Sequence, residues 1–255
     1  MKRVLITVCG RAGSKGFRNK NLKNFCGKPL VYYTLSAAEL FKSQRPDLTV
    51  DICLNTDSPE LIALVLKGYP EVEVIERPEE LGGDAVPKMA VFQHSLRTME
   101  ERHGYEYDFH IDMDITSPLR QQQDLKQAVE MYENEPGLDL VMAAVPSRRN
   151  PFFNMGMKNA EGYACRIIEN SNTARQQAPA CYDVNASLYV FRRGFLLSNA
   201  SSDLWKGKVR FYEMFDTGIL DIDSEEDYLL MESIATHLYN SRPTFAAMRD
   251  NIREV

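Results

Sequence analysis

Short apolar runs recur along the chain, each closed by polar punctuation and followed by residues at helical spacing. The first run, Val4-Leu5-Ile6-Thr7-Val8-Cys9, opens directly into Gly10-Arg11-Ala12-Gly13-Ser14-Lys15-Gly16. Behind Pro29, the residues Leu30, Tyr33, Leu35, Ala38 and Phe41 predict a helix over 29–41. Residues 49–55 predict a second strand, and Ser58-Pro59 after it predicts a helix start, Ser58 as N-cap and Pro59 in the first turn. A third strand is predicted at 72–76, a helix at 86–102, a fourth strand at 109–113 and a helix at 125–132. The unbroken apolar run at 138–145 predicts a strand buried on both faces. A last strand is predicted at 186–191, and a helix from Ser224 whose Glu225, Glu226 and Asp227 suit the positive end of its dipole.

Strands alternating with helices in this rhythm predict an α/β fold, a mostly parallel sheet with helices on both faces. Ligands of such sheets bind beyond the carboxyl ends of the strands. The glycine loop, Asp57, Arg77 and the segment 114–120 therefore converge on one edge. The rhythm breaks between 146 and about 183, a stretch rich in Arg, Asn, Gln and Pro with cations at Arg148, Arg149, Lys158, Arg166 and Arg175. An excursion of this length inside a compact domain reads as a lid or a dimer arm. The whole of 1–255 reads as one domain carrying that arm.

Composition narrows the function. With 44% hydrophobic and 26% charged residues the chain reads as an ordinary globular protein, and its net charge of −6 argues against a nucleic-acid coat. No segment reaches membrane-spanning length, and the apolar run ending at Cys9 is shorter than a signal-peptide core. Five cysteines, an odd number without ligand spacing, read as reduced thiols of a cytoplasmic enzyme. His94, His103, His110 and His237 lack metal spacing and read as surface or core histidines.

The loop at 10–16 is where chemistry enters. Its three glycines let the backbone turn and aim N–H groups at an anion, and Arg11, Lys15, Lys20 and Lys23 add full charges. Its Gly-x-x-Gly-x-x-Gly pattern is neither a Walker A loop nor a dinucleotide fingerprint, since Ala12 stands where the second glycine of the latter belongs. It reads as a phosphate cradle, with a basic surface turn as the alternative. Asp221 and Asp223, one residue apart on a β-like stretch, point to one face and form the oxygen pair that Mg²⁺ prefers. The alternative is a solvated Asp221 with Asp223 starting the next helix.

At this point the residues resemble a known family. The segment GRAGSKGFRNKN is similar to the signature loop of the CMP-sialate synthetases, cytidylyltransferases that activate nine-carbon ulosonic acids. Further likenesses follow in order: Thr56-Asp57, Arg77-Pro78, Thr116-Ser117-Pro118-Leu119-Arg120, Arg175-Gln176 before Pro179, Asn185-Ala186-Ser187 and Asp221-Ile222-Asp223. The resemblance implies a Rossmann-like nucleotidyltransferase sheet with an inserted dimerisation arm. It implies CMP transfer from CTP, with Arg11, Lys20 and Asp221 at the reacting phosphates and Gly13, Ser14, Lys15, Asn21, Arg77 and Asp84 on the nucleotide. Asp114, Thr116, Ser117, Arg166, Arg175, Gln176 and Asn185 would meet the sugar, in part across a homodimer interface. Asp221 and Asp223 would hold Mg²⁺, or Mn²⁺ in its place. The implied partners are thus CTP, a nonulosonic acid and a second copy of the chain, with no nucleic acid and no membrane.

The chain departs from the family pattern in three places. Asp114-Ile115 replaces a common Gln-Pro whose Gln contacts the sugar in the sialate enzymes, which implies an altered sugar choice. With the segments 145–154 and 178–187, the chain looks most like the CMP-legionaminate synthetases, with N-acetylneuraminate and then 3-deoxy-octulosonate as alternative acceptors. Arg18 replaces the usual proline, and Gly83 stands where Ser is frequent. Two other readings remain open: a sugar-1-phosphate or terpenoid-precursor nucleotidyltransferase, and a non-catalytic nucleotide-binding regulatory protein. The arginine-rich arm and Asn185-Ala186-Ser187 count against the first. The joint presence of Arg11, Lys20, Asp221 and Asp223 counts against the second.

Overall fold

A computed structural model describes residues 1–13, 16–83, 85–217 and 221–254. The elements run β1 (Lys2–Gly10), β2 (Asn24–Phe25), β3 (Lys28–Pro29), α1 (Leu30–Gln44), β4 (Leu48–Thr56), α2 (Pro59–Gly68), β5 (Glu73–Glu76), α3 (Lys88–His103) and β6 (Phe109–Asp114). They continue with α4 (Asp124–Asn134), β7 (Leu140–Pro146), β8 (Gly156–Lys158), β9 (Ala164–Arg166), β10 (Tyr182–Arg192), α5 (Arg193–Ser198), β11 (Val209–Glu213), α6 (Glu225–Ser241) and α7 (Pro243–Asp250). The seven-stranded sheet has the order β11-β7-β10-β6-β1-β4-β5. Within that sheet all pairings are parallel except those of β10, which runs antiparallel to both β6 and β7.

Side-chain alternation along the central strands divides the core between two faces. Val4, Ile6 and Val8 of β1 join Ile111 and Met113 of β6 beneath α1, α2, α4, α6 and α7. Leu5 faces the other way, with Phe92, Leu96 and Met99 of α3 and Leu196 of α5. Helices on both faces follow. β7 is buried from Leu140 to Val145, as its unbroken apolar run predicts. Ser58 caps α2 by accepting from Leu61 N at 3.2 Å, and Ser224 caps α6 in a reciprocal capping box with Asp227. Among the described residues no helix is long and apolar enough to cross a membrane.

Several sequence expectations are corrected. The strand expected at 186–191 spans Tyr182–Arg192 and carries a bulge between Val184 and Tyr189, across which its register against β7 shifts. Ala186 there has φ 51°, and Asn185 Oδ1 accepts from Ser187 N at 3.1 Å, so the Asn-Ala-Ser triplet is a bulge. Asp221 and Asp223 are not on a strand: Ile222 is buried between them and donates its N–H to Thr116 O at 3.0 Å. Burial of Ile222 turns both flanking carboxylates outward, an outcome like that expected of a strand. β11, α5, α7 and the β8–β9 hairpin of the arm were not predicted. Each is short or solvent-facing, so its apolar periodicity is weak.

Candidate functional site

β1, β4, β5 and β6 run in one direction, so Gly10, Thr56, Glu76 and Asp114 end at one edge of the sheet. A cleft of about 510 Å³ opens there. The loop contributes Gly10, Arg11, Gly16, Phe17, Lys20 and Asn21; the chain after β5 contributes Arg77, Leu81, Gly83 and Val86. Lys88, Val91 and Phe92 of α3 form a side wall, with Asp114 and Thr116 after β6, and Asp221 and Asp223 complete the lining.

The loop is fastened at both ends. Ala12 N donates to Asp57 Oδ1 at 2.6 Å, and Asn21 Nδ2 donates to Arg11 O at 3.3 Å. Two glycines are required by geometry. Gly13 has φ +68°, and a Cβ at Gly16 would lie 2.6 Å from Asp223 O. The glycine pattern therefore brings the loop backbone against the Asp221–Asp223 segment. Lys20 Nζ strengthens that contact, donating to Asp223 Oδ1 at 2.7 Å and to Ile222 O at 2.9 Å. Arg77 is aimed by Asn55, donating from Nε to Oδ1 at 2.8 Å and from Nη2 to the backbone oxygen at 2.9 Å.

Carboxylates crowd the end of the cleft. Burial raises the Asp221 carboxyl, and the charges of Asp223 and Asp114 raise it further against the partial relief of Lys20 and Lys88. Burial works on Asp114 in the same direction. It is overcome by the charge and hydrogen bond of Lys88 and by the N–H and hydroxyl of Thr116, leaving Asp114 below the ordinary carboxylate range. Beneath them Asp112 is buried and pushed up to about 7, chiefly by desolvation. His110 is buried beside it and pushed down to about 3 by the same cause. Thr7 Oγ1 lies 3.0 Å from Asp112 Oδ1 and 3.1 Å from His110 Nε2.

Of the residues singled out in the sequence, Arg11, Lys20, Asn21, Arg77, Asp114, Thr116, Asp221 and Asp223 line this one cleft. Gly13 belongs to the loop without lining it, and Ser14, Lys15 and Asp84 lie outside the described residues. Ser117 and Asn185 come together elsewhere, around a pocket of about 20 Å³ shared with Ser187 and Met214. Arg166, Arg175 and Gln176 do not line the cleft of their own chain. Arg166 Nη1 donates to Asn170 O at 3.0 Å within the arm, and Arg175 Nη2 reaches Ser147 O at 3.4 Å. Lys88 was missed. Its signal is a cation at the first position of a helix with no acidic residue in its first turn, against the dipole preference.

A family model described as Cytidylyltransferase matches residues 5–241. The chain is 34% identical over 232 residues to the CMP-N,N'-diacetyllegionaminic acid synthase of Campylobacter jejuni, covering 91% of this chain and 94% of that protein. The post-translational flagellin modification protein B of Campylobacter coli matches with the same identity and coverage. An N-acylneuraminate cytidylyltransferase of Streptococcus agalactiae is 26% identical across 90% of this chain and 52% of its own length. A solved CMP:2-keto-3-deoxy-manno-octonic acid synthetase complexed with CTP shares the fold, with TM-score 0.63 and 15% identity over 92% of this chain and 99% of that one.

Proposed function

The chain belongs to the cytidylyltransferase family, and from that premise we propose that it transfers CMP from CTP to the anomeric hydroxyl of a nonulosonic acid, a legionaminic acid foremost, releasing pyrophosphate. The observation that carries this is the meeting of a glycine loop, Arg11 and Lys20 with Asp221 and Asp223 at one end of a cleft. Cations and backbone donors there suit a triphosphate, and the side wall leaves room for a second substrate.

The triphosphate lies along the loop, with Arg11, Lys20 and the loop N–H groups, Ser14 and Lys15 included, taking its oxygens. Arg77, Asn21 and Asp84 orient the nucleoside. The acceptor hydroxyl attacks the α-phosphorus in line, and the α–β phosphoanhydride bond breaks as pyrophosphate leaves. Arg11 and Lys20 neutralise charge growing on the α-phosphate and the leaving group, which is the larger part of catalysis in such transfers. The donor set fits the Mg²⁺ that the family resemblance implies: burial and then the charges of Asp223 and Asp114 raise Asp221, and two lysines only partly offset them. Held by Asp221 and Asp223, the ion would supply positive charge to the phosphate oxygens and the acceptor hydroxyl.

We further propose that the arm, 146–183, serves a homodimer. Met155, Met157, Tyr163, Ile167 and Ile168 are all exposed along it, and Arg166 and Arg175 would meet the acceptor carboxylate in the partner's cleft. The decisive test is Asp223→Ala, assayed by pyrophosphate release from CTP plus N,N'-diacetyllegionaminate. Turnover should fall by roughly 100-fold or more. Full retention would remove the metal and phosphate assignments together.

A further inference from the structure

Asp114 and Lys88 form an ion pair inside the cleft, and the two are held very differently. Asp114 is fixed on every side. Its backbone oxygen accepts from Thr34 Oγ1 at 3.0 Å and from the buried Arg120 Nη2 at 2.5 Å. Its Oδ1 accepts from Thr116 N at 2.9 Å and Thr116 Oγ1 at 2.8 Å, and its Oδ2 takes Lys88. Only 13% of its side chain is exposed. Lys88, by contrast, is 53% exposed, and among the described residues its ammonium donates to Asp114 alone. Two of its three N–H donors thus remain for the cleft.

The helix start is a disfavoured place for the Lys88 cation, and its ion pair with Asp114 is what holds it there. Lys88 opens α3 at the positive end of the helix dipole with no acidic residue in the first turn. A local rule broken beside a ligand cleft points to function. Val91 and Phe92, three and four residues on, share its helix face and line the same wall. The wall therefore presents a charged donor next to apolar surface.

Charge selects what such a wall receives. The Lys88 ammonium is already matched by the Asp114 carboxylate. A substrate carboxylate placed there would share one ammonium with the Asp114 carboxylate. A neutral carbonyl oxygen meets no such repulsion. We infer that Lys88, positioned by Asp114, is the residue that selects the acceptor, donating to the carbonyl oxygen of an acylamino substituent whose methyl lies against Val91 and Phe92. Asp114 is then a positioning residue that does not itself touch the sugar. This inference rests on the acceptor being a nonulosonic acid.

The test compares wild type, Lys88→Met and Lys88→Arg on three acceptors with CTP: N,N'-diacetyllegionaminate, N-acetylneuraminate and 3-deoxy-octulosonate, which carry two, one and no acylamino groups. Wild type should prefer the acylated acids. In Lys88→Met, kcat/KM for the diacyl acid should fall roughly 10- to 100-fold, mostly through KM, while KM for CTP moves less than about twofold. The preference for acylated acceptors should collapse with it, and Lys88→Arg should restore part of both. A wild type indifferent to acylation, an equal loss on all three acceptors, or a rise confined to the CTP KM would each overturn the inference. A wild type inactive on all three would instead sink the proposed function.

Discussion

Around the cleft, polar side chains are anchored to the buried sheet, whereas along 147–181 they are anchored chiefly to one another. Asp57, Asn55, Arg120 and Thr116 each tie a cleft segment to a strand end or to the core. In the arm, Asn150 Oδ1 accepts from Phe152 N at 2.9 Å and Asn159 Oδ1 from Tyr163 N at 2.9 Å. Asn170 Nδ2 donates to Phe152 O at 2.8 Å and Ile168 O at 2.7 Å. These asparagine staples shape a loop without burying it, and Met155, Met157, Tyr163, Ile167 and Ile168 stay exposed. The contrast separates two tasks. Triphosphate chemistry demands placement to a fraction of an ångström, which rigid elements supply. A surface built to meet another body needs shape first and acquires rigidity when covered.

The sharpest way to break this contrast is to remove one arginine from each region. Arg120 is 1% exposed and joins three elements, donating to Thr34 Oγ1 at 3.1 Å, Asp114 O at 2.5 Å and Ser187 O at 2.6 Å. Arg120→Met strands those acceptors in the core and should cost about 3 kcal/mol or more of folding stability. Thermal unfolding should drop by roughly 10 °C. Among the described residues Arg166→Met removes only contacts with Asn170, and it should change stability by less than about 1 kcal/mol. Equal losses from both would mean that the arm is as tightly integrated as the sheet.

The same contrast explains what could be read in advance. The buried strands, with their unbroken apolar runs, and the capped helices α2 and α6 were legible, since periodicity and capping follow from local chemistry. So was the convergence of Gly10, Arg77 and Asp114, because parallel strands must end together. The Asn185-Ala186-Ser187 bulge was not, since the partner that caps Ser187 O is Arg120, distant in sequence. Lys88 was hidden for a similar reason. Its partner Asp114 lies 26 residues away, and only a disfavoured charge at a helix start hinted at it. In the arm, the residue types were visible but not what they touch.

A smaller effect probes the floor of the cleft. Asp112 is 1% exposed, with its carboxyl raised from an ordinary 3.8 to about 7. Between those values the folded protein holds a proton that the unfolded chain has released, so stability falls as pH rises through that window. Asp112→Asn keeps a group that accepts from Thr7 and removes the titration. At pH 8 the variant should be more stable than wild type by about 2 kcal/mol, and at pH 4 by little. Denaturant midpoints at the two pH values check this, and a pH-independent difference would show that Asp112 is ionised throughout. A gain at pH 8 would mean that the cleft carries a charge cost under its catalytic surface, a burden with no counterpart required of the arm.

The smallest expected effect bears on the arm itself. If Arg175 serves a partner's cleft, its removal should leave folding and nucleotide binding intact and weaken only the acid. In Arg175→Ala, KM for the nonulosonic acid should rise roughly 10-fold, as for loss of one charged hydrogen bond, with KM for CTP within about twofold. Among the described residues Arg175 reaches only Ser147 O, at 3.4 Å, so little internal structure depends on it. Light scattering should give twice the 29.1 kDa chain mass for wild type and variant alike, since the apolar side chains rather than Arg175 would hold the dimer. A monomeric wild type would return the arm to its own cleft as a lid. An Arg175 effect confined to CTP would move that arginine to the nucleotide, and the two regions would then share one task instead of dividing two.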